Sequence, residues 1–169
     1  VATHWRFSSA AYWMLDPQGS EVSVETGLQA QAVARHYYSL GGASNVVANL
    51  AALQPRSIQV IGALGEDLFG RELVRQLQAL GVNTDGVVIQ QEDFDTITFA
   101  KRYLADEEQP RIDFGFGNAR SPATDDAILS ALEQALRDTD AVIFNQQVPG
   151  SLHNQQFIDG ANALFKTYR

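Results

Sequence analysis

The 169-residue chain contains no cysteine. That excludes a disulfide framework, a thiolate metal site and a thiol nucleophile, and it fits a cytoplasmic protein. Basic residues are also scarce: 12 Lys+Arg stand against 20 Asp+Glu, for a net charge of −8. With no basic cluster, nucleic acid and anionic membrane surfaces are poor partners. No run of about 18 apolar residues is present to form a helical membrane span, and no signal-peptide pattern opens the chain. His4, His36 and His153 share no metal-like spacing and read as surface or packing residues. Ser8 and Ser9 lack the strand–turn–helix setting of a nucleophile elbow. The chain begins at Val1 rather than Met, as a trimmed chain would.

What is present is a pair of glycine turns, each opening a helical pattern. Gly41-Gly42-Ala43-Ser44-Asn45 runs into Val46, Val47, Leu50 and Leu53, one apolar stripe at helical spacing. A glycine pair allows close backbone approach to a ligand, and a helix start offers unpaired N–H groups. Ser57–Leu64 reads as a short buried strand. Gly65-Glu66-Asp67-Leu68-Phe69-Gly70 follows, then Leu73, Leu77 and Leu80 on one helical face, stopped by Gly81. Helices are predicted at 43–54, 68–80, 123–137 and 154–166, with Ser121-Pro122 starting the third. Core strands are predicted at 57–62, 86–90 and 141–145, and further strands at 21–25, 95–104 and 110–116. Residues 32–40 read as extended into the glycine pair, and Asp106-Glu107-Glu108 as an acidic turn. Strands alternating with helices imply an α/β fold with a parallel sheet.

These motifs, in this order, resemble the ribokinase/PfkB family of carbohydrate kinases. Its N-terminal signature is Gly-Gly-Ala-x-Asn, helix, strand, Gly-x-Asp-x-x-Gly, helix, then Leu-Gly-Val and an Asp, here Asp85. Asp95-Thr96-Ile97-Thr98 resembles the family's Pro-Thr strand, with Asp95 in place of Pro. Arg111-Ile112-Asp113-Phe114 resembles a segment of the heptose-phosphate kinase branch. The resemblance covers roughly residues 20–160 and implies one domain over 1–169. Its fold would be α/β, a truncated ribokinase-like parallel sheet flanked by helices, with small β lid strands at about 20–40 and 95–116. It implies a sugar or sugar phosphate substrate, with ATP and Mg²⁺ as phosphoryl donor and metal. In several members the lids of two chains pair as a dimer clasp.

Residue by residue, the resemblance places sugar hydroxyls on the backbone of Gly41 and Gly42 and on the side chain of Asn45. On turn chemistry alone, Asn45 could instead cap its own helix. Asp67 reads first as the cap of the helix that follows it, and second as a contact near the substrate. Arg111 and Asp113 are either lid contacts to a phosphorylated sugar or an exposed strand pair. Asn145 falls at the end of a core strand, where ligands of open α/β sheets bind, and Gln146 and Gln147 follow.

Two departures accompany the matches. Trp5-Arg6 stands where the family has Gly-Asp, Ala10 stands in place of the sugar-binding Asp, and Val1–His4 is a short, half-polar candidate for the first core strand. Asp16 could substitute for that acid only in a shifted lid. The family's later Gly-x-Gly-Asp turn, with its base and anion hole, is absent from these 169 residues. Phosphoryl transfer depends on such positioning and charge stabilisation. The expectation is therefore a sugar-kinase half that binds sugar weakly, is not kinase-competent alone, and forms a homo-oligomer, a dimer through its lid, its cut sheet face, or both. The alternatives are a non-catalytic sugar-binding or oligomerising relic, and a hydrolase activity acquired by the half-fold through Asp67, Asp113 or a histidine.

Overall fold

The computed structural model describes residues 2–145 and 154–168, with side chains from Phe7 onward. Two four-stranded sheets share the chain. The first is parallel, in the order β5-β4-β1-β8, from β1 (Ala2–Arg6), β4 (Gln59–Gly65), β5 (Asn83–Gln90) and β8 (Ile143–Asn145). The second, the lid, has the order β3-β2-β6-β7, from β2 (Ser8–Val22), β3 (Gln29–Gly41), β6 (Ile97–Leu104) and β7 (Glu107–Phe114). The helices are α1 (Gly42–Ala52), α2 (Leu68–Ala79), α3 (Pro122–Leu136) and α4 (Gln155–Thr167).

The parallel sheet is buried on both faces because β4 alternates its apolar side chains. Val60 and Leu64 join Val47 of α1 and Leu73 and Leu77 of α2 in one core. Ile61 and Ala63 point the other way, to Ile128 and Leu132 of α3 and Phe157 of α4. Every helix begins where the sequence provides a cap or a glycine. Ser121 Oγ accepts from Thr124 N at 3.1 Å, with Pro122 opening α3. Asn154 Oδ1 accepts from Gln156 N and Phe157 N at the start of α4.

The four helices fall within two residues of their predicted ends. The strands need two corrections. The half-polar segment Ala2–Arg6 is an inner strand, paired in parallel with both β4 and β8. The lid begins at Ser8, not near residue 20: β2 lies between β3 and β6 and is its longest strand. The predicted strand at 21–25 is the end of β2 and the turn beyond it, which closes at Gly27 with φ +69°. Alternation is weak in Ser8–Leu15 because the strand is buried from both sides at its root, where Ser8, Ser9, Ala10 and Ala11 are all buried.

An ion pair that is almost fully buried lies at the start of α3, against the start of α4. Arg120 Nε meets Asp125 Oδ1 at 2.5 Å, with side chains 5% and 7% exposed. The Arg120 guanidinium also lies 4.8 Å from the Phe157 ring centre, and Asn154 Nδ2 donates to Asp125 Oδ2 at 2.8 Å. Removing one member leaves the other charge buried and uncompensated. Asp125→Ala is therefore expected to cost about 3–5 kcal/mol in urea denaturation, and the double replacement Arg120→Leu/Asp125→Leu markedly less.

Candidate functional site

The second glycine motif forms a knot rather than an open cradle. Asp67 caps α2, its Oδ1 accepting from Gly70 N at 2.8 Å. Its Oδ2 accepts from Thr96 N at 2.6 Å, at the root of β6. Thr96, itself fully buried, accepts through Oγ1 from Gly65 N at 3.1 Å. Both oxygens of Asp67 are thus engaged with backbone N–H groups. A Cβ on Gly70 would fall 2.5 Å from Gly65 O and 2.7 Å from Thr96 Oγ1, so the glycine spacing of the motif is steric. Phe69 adds an aromatic seal: its ring lies 6.1 Å from Tyr38 and 5.0 Å from Phe114, and Phe114 lies 6.5 Å from Trp13. Through these contacts α2, the parallel sheet and three lid strands meet at one point.

The two crossovers into and out of the lid are tied to each other beside this knot. Asp95 N donates to Asn118 Oδ1 at 3.1 Å, and Asn118 Nδ2 donates back to Asp95 O. Asn118 is not singled out in the sequence, and Thr96 only as part of the segment that resembles the family's Pro-Thr strand. A Thr opening a strand, and an Asn after Gly115-Phe116-Gly117, are the only local signals.

A cleft of about 730 Å³ opens here, lined by Glu66, Asp67, Asp93, Asp95 and Asp113 with Phe94, Phe114 and Phe116, and by no basic residue. Arg111 does not line the cleft but pairs with Asp113, which does. Its Nε and Nη2 donate to the two carboxylate oxygens of Asp113 at 2.6 and 2.8 Å, and its guanidinium covers Phe99 at 4.5 Å. The hydrogen bond to the Asp113 carboxylate raises the Arg111 pKa above its ordinary value.

The first glycine motif lies across the lid from that pair. Gly41 is the N-cap of α1 and makes no side-chain cap; Gly42 takes φ +41°. A Cβ on Gly41 would meet Ser8 O and Ser8 Oγ at 3.2 Å, so this glycine lets β3 close onto β2. Asn45 does not cap the helix. Its side chain is exposed on the first turn and makes no hydrogen bond among the described residues. Ser39, Ala10, Phe99 and Asp113 form one cross-strand row, which sets β3 and β7 about 14 Å apart at ordinary strand spacing.

Asp16 lies toward the outer end of β2, where its Oδ1 accepts from Gln18 N at 2.9 Å; it is not brought to either motif. Asn145 ends β8, opposite His4 of β1, and its Oδ1 is buried with no hydrogen-bond partner among the described residues. Gln146, Gln147 and His153 lie outside the described residues. The structure therefore groups Asp67 with Asp113 at the acidic cleft, sets Gly41, Gly42 and Asn45 together at α1, and leaves Asp16 apart.

Residues 10–158 match the pfkB family carbohydrate kinase profile. The chain belongs to that family. It is 35% identical over 132 residues to the bifunctional protein HldE of Wolinella succinogenes, covering 78% of this chain and 27% of that protein. It is 30% identical over 150 residues to the D-beta-D-heptose 7-phosphate kinase of Bordetella bronchiseptica, covering 89% of this chain and 46% of that one. The chain thus spans less than half the length of these relatives. Among solved structures it resembles a putative phosphofructokinase from Staphylococcus aureus (TM-score 0.66, 15% identity) and the apo form of a putative ribokinase II from E. coli (TM-score 0.60, 18% identity). These alignments cover 99% and 98% of this chain and 50% and 49% of those chains. The fold is ribokinase-like.

If the knot is structural, Asp67→Ala and Gly70→Ala should each lower stability by about 1–3 kcal/mol. Asp67→Ala should also speed hydrogen exchange at the Thr96 amide, read by mass spectrometry.

Proposed function

We propose that this chain carries the acceptor side of a carbohydrate kinase and binds a sugar or sugar phosphate at the Gly41–Asn45 turn. The observation that carries this reading is the state of α1: no side chain caps it, and Asn45 is exposed on its first turn with no hydrogen-bond partner among the described residues. Uncapped first-turn N–H groups and a two-way amide are what a polyol needs in fixed places. Family membership and the heptose-phosphate kinase relatives support a sugar or sugar phosphate as the ligand.

Within these residues the reading stops at binding. Among those described, no group of three or more His, Asp or Glu side chains is placed to hold a metal ion. No Gly-x-Gly-Asp turn is present to supply a base and an anion hole. Binding itself should be weak. Ala10, buried beside Phe99 in its lid row, has no acceptor for a hydroxyl, and Arg111 is already occupied by Asp113. The same two observations favour a second reading, a non-catalytic relic of a kinase. Self-association belongs with either reading, since an unpaired strand edge is a template for pairing with another chain.

Titration calorimetry against a panel of sugars and sugar phosphates, and separately against ATP–Mg²⁺, distinguishes these readings. Sugar binding that Asn45→Ala weakens at least tenfold, with unchanged melting temperature and no ATP binding, is the expected result. ATP binding would contradict the acceptor-half reading. Binding of neither ligand would overturn it in favour of the relic.

A further inference from the structure

The lid has a notch at its outer end. β2 runs beside β6 only as far as Leu15, opposite Leu104. Beyond that point β2 carries on with β3 to Val22, while β6 turns back into β7. A cavity of about 490 Å³ opens where they part. Its floor is apolar, from the half-buried Met14 and the buried Leu15. Tyr103 forms a fixed wall, its hydroxyl donating to Glu108 Oε2 at 2.8 Å. The notch lies about 20 Å along β2 from the Gly41–Asn45 turn and shares no residue with it.

Three departures from regular sheet geometry border this one cavity. Ala34 is an extra residue in β3, immediately before Arg35. Asp16, Pro17, Gln18 and Gly19 of β2 stand opposite Ala32 alone, an outward loop that Asp16 Oδ1 closes by accepting from Gln18 N at 2.9 Å. Ala105 turns β6 into β7 at φ +52°, where glycine is favoured. Bulges re-aim side chains, and a non-glycine residue held at positive φ is strained. Their coincidence marks a shaped site rather than a ragged end of a sheet.

Two charges at the cavity decide what it suits. Arg35 comes from β3 and Asp106 from the β6–β7 turn, and both line it. Neither makes an ion pair or a side-chain hydrogen bond among the described residues, with the other or with a third group. A simple anion is drawn to Arg35 and repelled by Asp106, and a simple cation the reverse. A molecule carrying both signs gains from both, and an apolar body covers the floor.

We propose that this notch binds a free α-amino acid with an apolar side chain. Its carboxylate meets Arg35, its ammonium meets Asp106, and its side chain rests on Met14 and Leu15. The ligand thereby bridges the β2–β3 hairpin and the β6–β7 turn, the two parts of the lid that separate at Leu15.

Amide chemical-shift titrations with L-leucine, L-methionine and L-phenylalanine test this. Isocaproate, the leucine skeleton without its amine, and isoamylamine, without its carboxylate, serve as probes of one charge each. At least one of the three amino acids should give saturable shifts at Leu15, Arg35 and Asp106. Each single-charge probe should bind about tenfold more weakly than that amino acid, for the loss of one charge-assisted hydrogen bond. Arg35→Gln and Asp106→Asn, both at exposed positions, should each weaken binding about tenfold and leave the melting temperature of the free protein unchanged. No saturable shift with any of the three, a single-charge probe that binds as tightly, binding that survives both substitutions, or shifts centred on Gly41–Asn45 in place of the notch would each overturn the proposal.

Discussion

The structure depends on the two hydrogen bonds accepted by Asp67. One ends on α2, the other on Thr96, the residue just before the lid's return strand β6. A carboxylate that accepts from two backbone N–H groups is a strong, charge-assisted anchor. Gly65 and Gly70 let the backbone close around it, and Thr96 completes the ring of bonds. Because the donors come from different elements, the lid cannot shift relative to the parallel sheet without breaking at least one of them.

Each oxygen of Asp67 accepts one backbone N–H, so the Gly-Glu-Asp-x-x-Gly motif fastens the start of α2 to the root of the lid. The same accounting applies to Arg111, whose fork is matched by Asp113. Their salt bridge is partly exposed and adds little to stability; its effect is to occupy a group that would otherwise suit phosphate. Asn45 is the opposite case. It stands exposed on a helix start that no side chain caps, which is why the binding reading rests there.

Much of this was legible in the sequence. The glycine turns, the helical stripes and the caps Asp67 and Ser121 are local signals, and local chemistry fixes them. Ala2–Arg6 was hard to read because its place between β4 and β8 is a tertiary fact, and its half-polar composition argues for an edge. Ser8–Leu15 was missed as a strand because burial at the lid root removes the period-two pattern that marks one. The candidate site was legible as a set of residues but not as a geometry. Register alone separates β3 from β7, and no spacing in the sequence could show that Arg111 would be spent on Asp113.

The most direct test of the central claim, that the acceptor site lies at the start of α1, is an amide chemical-shift titration of the isotope-labelled protein with the sugar or sugar phosphate that binds it best. The account predicts saturable shifts at the amides of Gly41, Gly42 and Asn45 and at the Asn45 side chain. Shifts confined to the acidic cleft at Glu66, Asp95 and Asp113, with α1 unmoved, would contradict it.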